Sequence, residues 1–266
     1  MAQASTHQTL AGGTMEDHSS RAVRRVIAEM HQNLGKQFSV DEMARTALLS
    51  KYHFCRVFHR VTGVSPGRFL SAMRFQRAKH LLLATSWSVT DISHHVGYTS
   101  VGTFSARFSS SVGVSPSSFR RLGRSLGRED PYRQPGPTRP DPADTTGPTV
   151  RGQVRALPGE APDWIFVGLF PERIQQGRPV SSTVLPGPGP YLLGPVPPGT
   201  WFVLAHAVHR RRPATGTRPL LVGHHGPVTV GVPSRSARAD LTLRPMRTFD
   251  PPVVHAAGLP SLPRTG

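Results

Sequence analysis

Two groups of side chains in this sequence have the types and spacing to read a polyanion. The first is Lys51, Tyr52, Cys55, Arg56, His59 and Arg60, and the second, about fifty residues further on, is Ser100, Val101, Thr103, Ser105 and Arg107. Arginine presents a planar fork that matches the O6 and N7 acceptors of guanine, a contact that discriminates by ~1–3 kcal/mol. That role falls to Arg56. Tyr52 can pack on a thymine methyl, while Lys51 and Arg60 suit phosphate oxygens. The second group lacks a long side chain aimed inward. Ser100, Thr103 and Ser105 can bond a phosphate or a base, and Arg107 is better placed for backbone phosphate. Readout is therefore expected to be lopsided, with the first group specifying sequence and the second anchoring.

Such side chains need rigid elements, and the surrounding sequence repeats one. Val23, Val26, Ile27, Met30 and Leu34 form a helical stripe that Gly35 ends. Next comes a capping box with a hydrophobic staple: Ser39 caps, Glu42 answers at the third helical position, and Phe38 meets Met43. Trp87-Ser88-Val89-Thr90-Asp91-Ile92 repeats the pattern with Asp91 in the glutamate's place. Each copy continues through a short turn, Leu48-Leu49-Ser50 or Gly97-Tyr98-Thr99-Ser100, into a second helix. Phe54, Val57, Phe58 and Val61 form the buried face of that helix in one copy, and Phe104, Phe108 and Val112 in the other. Both copies close on Gly-Val-Ser-Pro, at 63–66 and 113–116, where glycine stops one helix and serine and proline start the next. A helix from about Pro66 to Ala84 separates the copies.

Two short helices joined by a tight turn, the second bearing exposed basic residues, make the helix-turn-helix pattern. The outward face of the second helix is expected to be Lys51, Tyr52, Cys55, Arg56 and His59 in the first copy. In the second copy it is Val101, Gly102, Ser105, Ala106 and Ser109. The intervening helix would be ~28 Å long at 1.5 Å per residue, against ~34 Å between groove segments one turn apart. One chain could thus place both modules on one face of a duplex without dimerising. Residues 21–122 resemble the DNA-binding domain of AraC/XylS-family regulators through Ser50–His59, Arg74-Phe-Gln-Arg-Ala-Lys-His-Leu-Leu, Val96-Gly-Tyr-Thr-Ser and Gly113-Val-Ser-Pro. The resemblance implies seven helices, a non-palindromic site, and base contacts from Tyr52, Cys55 and Arg56. Three departures stand out: Leu48 replaces the usual turn glycine, Ala106 replaces a long polar residue, and the helix-turn-helix half comes first in the chain.

Charge agrees with a polyanionic partner. The 266 residues carry 32 Lys+Arg against 15 Asp+Glu, a net charge of +17. A GC-rich genome can favour arginine over lysine, but it does not explain a twofold excess of basic over acidic residues. One cysteine, Cys55, excludes an intramolecular disulfide framework and a multi-thiolate zinc site. The longest apolar run, Trp201–Val208, falls far short of the ~20 residues of a membrane span. The first 20 residues lack a signal-peptide pattern. A cytoplasmic, nucleoid-associated protein is expected, without membrane association.

Proline places the domain boundary. Residues 1–128 hold Pro66 and Pro116, and all the other prolines of the 27 follow. The expected organisation is multidomain. A disordered segment at 1–18 leads into an all-α double helix-turn-helix domain at 19–124, then a Pro/Gly-rich linker at 125–149. A small all-β sandwich domain at 150–248 and a flexible tail at 249–266 complete the chain. Within the β half, Trp164–Phe170 through Gly177-Arg-Pro-Val, then Gly189–Ala205, resembles the transthyretin-like or carboxypeptidase-regulatory sandwich, which speaks to fold rather than activity. This half could sense a small molecule, bind another protein, or pack as a passive accessory. Arg210-Arg211-Arg212 reads as a solvated loop or an auxiliary phosphate contact.

Enzymatic chemistry finds little support. Gly63-Val-Ser-Pro-Gly67 formally matches a nucleophile elbow, but that motif needs a strand before it, where the pattern here is helical. The histidines at 94/95, 206/209 and 224/225 are not spaced for a shared metal, and no cofactor is implied. The expected partners are double-stranded DNA, RNA polymerase and an unidentified small-molecule effector at the β half. The function expected is sequence-specific DNA binding by a non-enzymatic transcriptional regulator; the alternative is a nonspecific architectural DNA binder.

Overall fold

The structure is a computed structural model that describes residues 6–126, 147–157, 162, 164–208, 220–231 and 235–255. The linker between 127 and 146, the Arg210–Arg212 loop and the tail beyond residue 255 lie outside the described residues. The first half contains α1 (Thr6–Gln32), α2 (Val40–Ala47), α3 (Lys51–Thr62), α4 (Pro66–Ala84), α5 (Val89–His95), α6 (Val101–Val112) and α7 (Pro116–Leu126). Helix α1 begins well before Val23, where its apolar stripe starts, so the segment expected to be disordered is helical from Thr6.

Local chemistry sets these helix ends. Ser39 Oγ accepts from Glu42 N while the Glu42 carboxylate accepts from Ser39 N at 2.7 Å, and Ser88 and Asp91 exchange the same pair of bonds. Gly63 and Gly113 end α3 and α6 in the left-handed conformation. The turns before the second helices also need a left-handed residue. Gly97 supplies it in one copy, with φ 85°, and Leu48 in the other, with φ 59°. Leu48 is 79% exposed, so packing returns little for that strain.

Helix α4 joins the two copies through its aromatic side chains. Phe69 meets Phe58 edge-on at 5.5 Å, inside the first module. Phe75 meets Phe108 edge-on at 5.9 Å and stacks on Tyr98 at 5.8 Å, inside the second. Each such aromatic pair contributes ~0.5–1.5 kcal/mol beyond the area it buries. Between them Arg74 reaches back to the α1–α2 connection, donating from Nε to Leu34 O at 3.0 Å and from a terminal nitrogen to Lys36 O at 2.6 Å.

The second half forms β1 (Thr149–Ala156), β2 (Trp164–Phe170), β3 (Ser182–Leu185), β4 (Gly189–Leu193), β5 (Gly199–Val208), β6 (Leu221–Val230), β7 (Ser236–Arg238) and β8 (Leu241–Pro245). Where a two-sheet sandwich was expected, the strands run in one path, β3-β2-β5-β6-β8-β1-β4, with β7 paired to β1. The first and last strands of that path, β3 and β4, are joined by residues 186–188, so the sheet curls back on itself. Pairing is mixed, because β1 runs parallel to β7 and β8. Ile165, Val167 and Leu169 point from β2 into the curled interior with Val203, Ala205, Leu241 and Leu243.

The alternate residues of β2, Phe166 and Phe170, form a second apolar face with Leu204 of β5. This face explains why β2 reads as an unbroken apolar run rather than an alternating one. The expected flexible tail lies here. His255 stacks on Phe166 at 5.5 Å, Phe249 packs against the helical core, and Val254 is fully buried within it. No local pattern signals this docking, because a stretch of Pro, Val and His residues has no period to betray a distant partner. Lys79 of α4 donates to Val254 O at 3.0 Å. Only part of the lysine side chain is covered, but its ammonium lies beneath this strap, and burial lowers its pKa to about 8.

Leu48→Gly should raise the urea midpoint, by up to ~1 kcal/mol of relieved strain less the entropy that glycine adds to the unfolded chain. Gly97→Leu should lower it sharply, since a Cβ there would lie 2.7 Å from Leu34 O. Burial and the nearby Lys79 charge lower the His255 pKa from 6.5 to about 4. Across that window the unfolded chain binds a proton that the folded chain refuses, so stability falls as pH drops from 6.5 towards 4. His255→Phe keeps a ring against Phe166 and should blunt this acid loss in urea titrations at pH 7 and pH 5; an unchanged slope would assign the loss to other groups.

Candidate nucleic-acid interface

Helix α3 presents the first reading surface. Ser50 caps it, its Oγ accepting from His53 N at 3.4 Å, and Phe54, Val57 and Phe58 are buried. Lys51, Tyr52, Arg56, His59 and Arg60 are exposed on the other side, as the periodicity required. Tyr52 is 73% exposed, and Arg56 Cζ lies 5.7 Å from its ring centroid. This cation–π contact pre-orders the two side chains best suited to base edges. Lys51 is ion-paired to Asp41 at 3.0 Å, with both side chains more than half exposed. Such a pair stabilises by at most ~1 kcal/mol and exchanges readily for a phosphate. Cys55 departs from the expected outward face: it is half-buried against the helical core and offers only an edge.

Helix α6 presents the second surface, and it is poorer in reach. Ser100 caps the helix, its Oγ accepting from Thr103 N at 3.3 Å, so its hydroxyl is partly committed. Val101, Gly102, Thr103 and Ala106 are exposed and short. Ser105 and Ser109 are half-buried, with Ser109 Oγ bonded to Ser105 O at 2.7 Å. Arg107 is exposed and turns towards the first module, where it lines a groove with Arg68 and Ser71 of α4 and with Ser110. Arg68 and Ser71 were not singled out from the sequence. They belong to the connecting helix, and only the packing of α4 between the modules brings them beside α6.

The alternatives lose ground on geometry. Ser65 lies between α3 and α4 with no strand before it, which removes the strand–turn–helix of a nucleophile elbow. His206 Nδ1 pairs with Gln175 Oε1 at 2.6 Å, His224 with Arg173 at 2.7 Å, and His225 with the Asp240 carbonyl at 3.0 Å. Among the described residues no group of three or more His, Cys, Asp and Glu could hold a metal ion. No described helix is long and apolar enough to cross a membrane.

Residues 43–122 match the family described as "Helix-turn-helix domain". The helical unit thus contains a helix-turn-helix domain. An uncharacterised HTH-type transcriptional regulator of Haemophilus influenzae is 33% identical over 107 residues, covering 40% of this chain and 35% of the relative. The HTH-type transcriptional activator AarP of Providencia stuartii is 29% identical over 101 residues, 38% of this chain and 75% of AarP. The activator RhaS of Escherichia coli O157:H7 is 29% identical over 105 residues, 40% of this chain and 38% of RhaS. The chain thus spans little more than a third of the length of the Haemophilus regulator and of RhaS, and three quarters of AarP. The DNA-binding domain of AdpA, solved with a target DNA, is 28% identical at a TM-score of 0.39, covering 40% of this chain and 96% of that one.

Within this helix-turn-helix domain the two surfaces should respond differently to substitution. Arg56→Ala should cost ~1–3 kcal/mol of binding and relax preference at one or two base pairs. Tyr52→Ala should weaken binding more than Val101→Ala or Ala106→Ser. Titrations of each variant against a duplex and its single-base mutants would show this; an equal Arg56 loss on every duplex would make that residue a phosphate contact.

Proposed function

We propose that this chain is a sequence-specific transcriptional regulator that reads two adjacent major-groove segments of an asymmetric site. Helix α3 supplies most of the specificity and α6 mainly anchors. The observation carrying this reading is the pair of recognition helices fixed to one connecting helix, α4, with Tyr52 and Arg56 exposed on the first and only short side chains on the second. A surplus of eleven positive charges over residues 1–128 supplies the sequence-independent attraction to phosphate. On this reading RNA polymerase is a partner and the bacterial nucleoid the place of action.

The test is selection of sheared genomic DNA by the purified full-length protein at ~0.15 M salt, with the bound fragments sequenced. The expected result is an enriched asymmetric motif, well defined in one half and vague about one helical turn away. Binding that ignores sequence and collapses with salt would instead identify a nonspecific architectural protein.

A further inference from the structure

The β unit touches both recognition helices through one short loop between β2 and β3. At its start Glu172 is ion-paired with Arg68 in the first turn of α4. Arg173 lies against the end of α3: a Cβ on Gly63, which terminates that helix, would be 2.6 Å from Arg173 Cδ. Three residues on, Gln176 Nε2 donates to Ser111 Oγ at 2.9 Å, and Gly177 N donates to Ser111 O at 2.6 Å. Ser111 is in the last turn of α6. The fifty-residue offset makes Gly63 and Gly113 equivalent, so the loop grips the same end of both reading helices. Ile174, midway along it, is 3% exposed within the helical core.

The loop is itself braced from behind. Gln175 Oε1 pairs with His206 on β5, and Gln175 O accepts from Val254 N at 3.0 Å and His255 N at 2.8 Å. The strap carrying those amides is tied to α4 through Lys79. A second tie between the modules lies at the opposite end of α6: Gln37 Nε2 donates to Gly97 O at 3.2 Å, in the turn that precedes it. α6 is thus tied at each of its ends to residues outside its own module.

We propose that Glu172, Ile174, Gln176 and Gly177 are positioning residues that fix the separation and rotation of α3 and α6, so that the β unit sets which spacing of half-sites the protein accepts. The proposal rests on the DNA-reading function for its consequence, but not for its geometry. One base pair of added spacing turns a half-site by roughly a tenth of a helical turn, enough to take a rigidly held helix out of register.

The first test needs no DNA. The full chain with Cys55→Ser, His59→Cys and Ala106→Cys places spin labels on the exposed faces of α3 and α6, and pulsed dipolar spectroscopy reads the distance between them. Adding Glu172→Ala and Gln176→Ala should broaden a narrow distribution about twofold. Ser111→Ala, which cuts the Gln176 side-chain bond from the helical side, should broaden it in the same direction. An unchanged distribution in both would overturn the proposal. The second test uses the unlabelled chain and the selected site with one base pair inserted between its halves. The insertion should cost the parent about tenfold in affinity and the loop variant under about threefold. Identical spacing profiles would likewise overturn the proposal, whereas failure to select any site would count against the DNA-reading function and leave the distance measurement to decide this one.

Discussion

The structure depends on the aromatic seam along α4. Phe69 and Phe75 lie six residues apart on that helix, each fully or almost fully buried, and each in the core of a different module. One rigid helix therefore carries two small cores, neither of which could bury enough apolar surface alone. Because both side chains belong to one unbroken helix, the modules share an axis and a fixed order. The first module closes on Phe54, Phe58 and Phe69, and the second on Phe75, Phe104, Phe108 and Phe119. Reading surfaces on α3 and α6 are thus by-products of where the inward phenylalanines must go. Once Phe54 and Phe58 face inward, Tyr52, Arg56 and His59 have no other direction available.

The same repeat does not give α3 and α6 equal outward faces. Duplicated caps, turns and core positions are under the same physical demand, since each must stop a helix, start another and fill a core. The exposed positions are under no such demand. Tyr52 and Arg56 have Gly102 and Ala106 as their counterparts, and that difference leaves the fold intact while removing reach. The turn shows a related asymmetry: Gly97 meets the left-handed requirement without strain, while Leu48 meets it with an exposed apolar side chain. Packing against Leu34 and Arg74 makes glycine obligatory at 97, whereas nothing crowds position 48.

What could be read from the sequence follows the range of the interactions concerned. The bounds of α4, both capping boxes, the glycine stops and most of the inward faces of α3 and α6 are set by contacts within a few residues and were legible, although Val61, expected in the buried face, is only half-buried and Thr62 is buried beside it. So was the exposure of Tyr52 and Arg56. Cys55 was placed one step too far outward, because helical phase alone does not show how far the core climbs the side of α3. The β half was legible as strands but not as a single curled sheet, since the pairing of β1 with β8 joins residues nearly ninety apart and leaves no local trace. The docking of Val254 and Ile174 was equally silent. The unbroken apolar run of β2 fits the two covered faces seen here, but carries no mark of what covers the second.

That second face bears on the three roles open to the β half. Phe166, Phe170 and Leu204 are covered by a strap whose next residues enter the helical core, and Ile174 enters the same core from the loop beside them. A passive appendage on a linker would keep its own core and leave the helical one closed without it. Here two of the β half's buried side chains complete the helical core instead. Lys79, on the connecting helix, is held under this strap rather than free on the surface. The β2–β3 loop and the strap both end on α4, the helix that carries the cores of both modules.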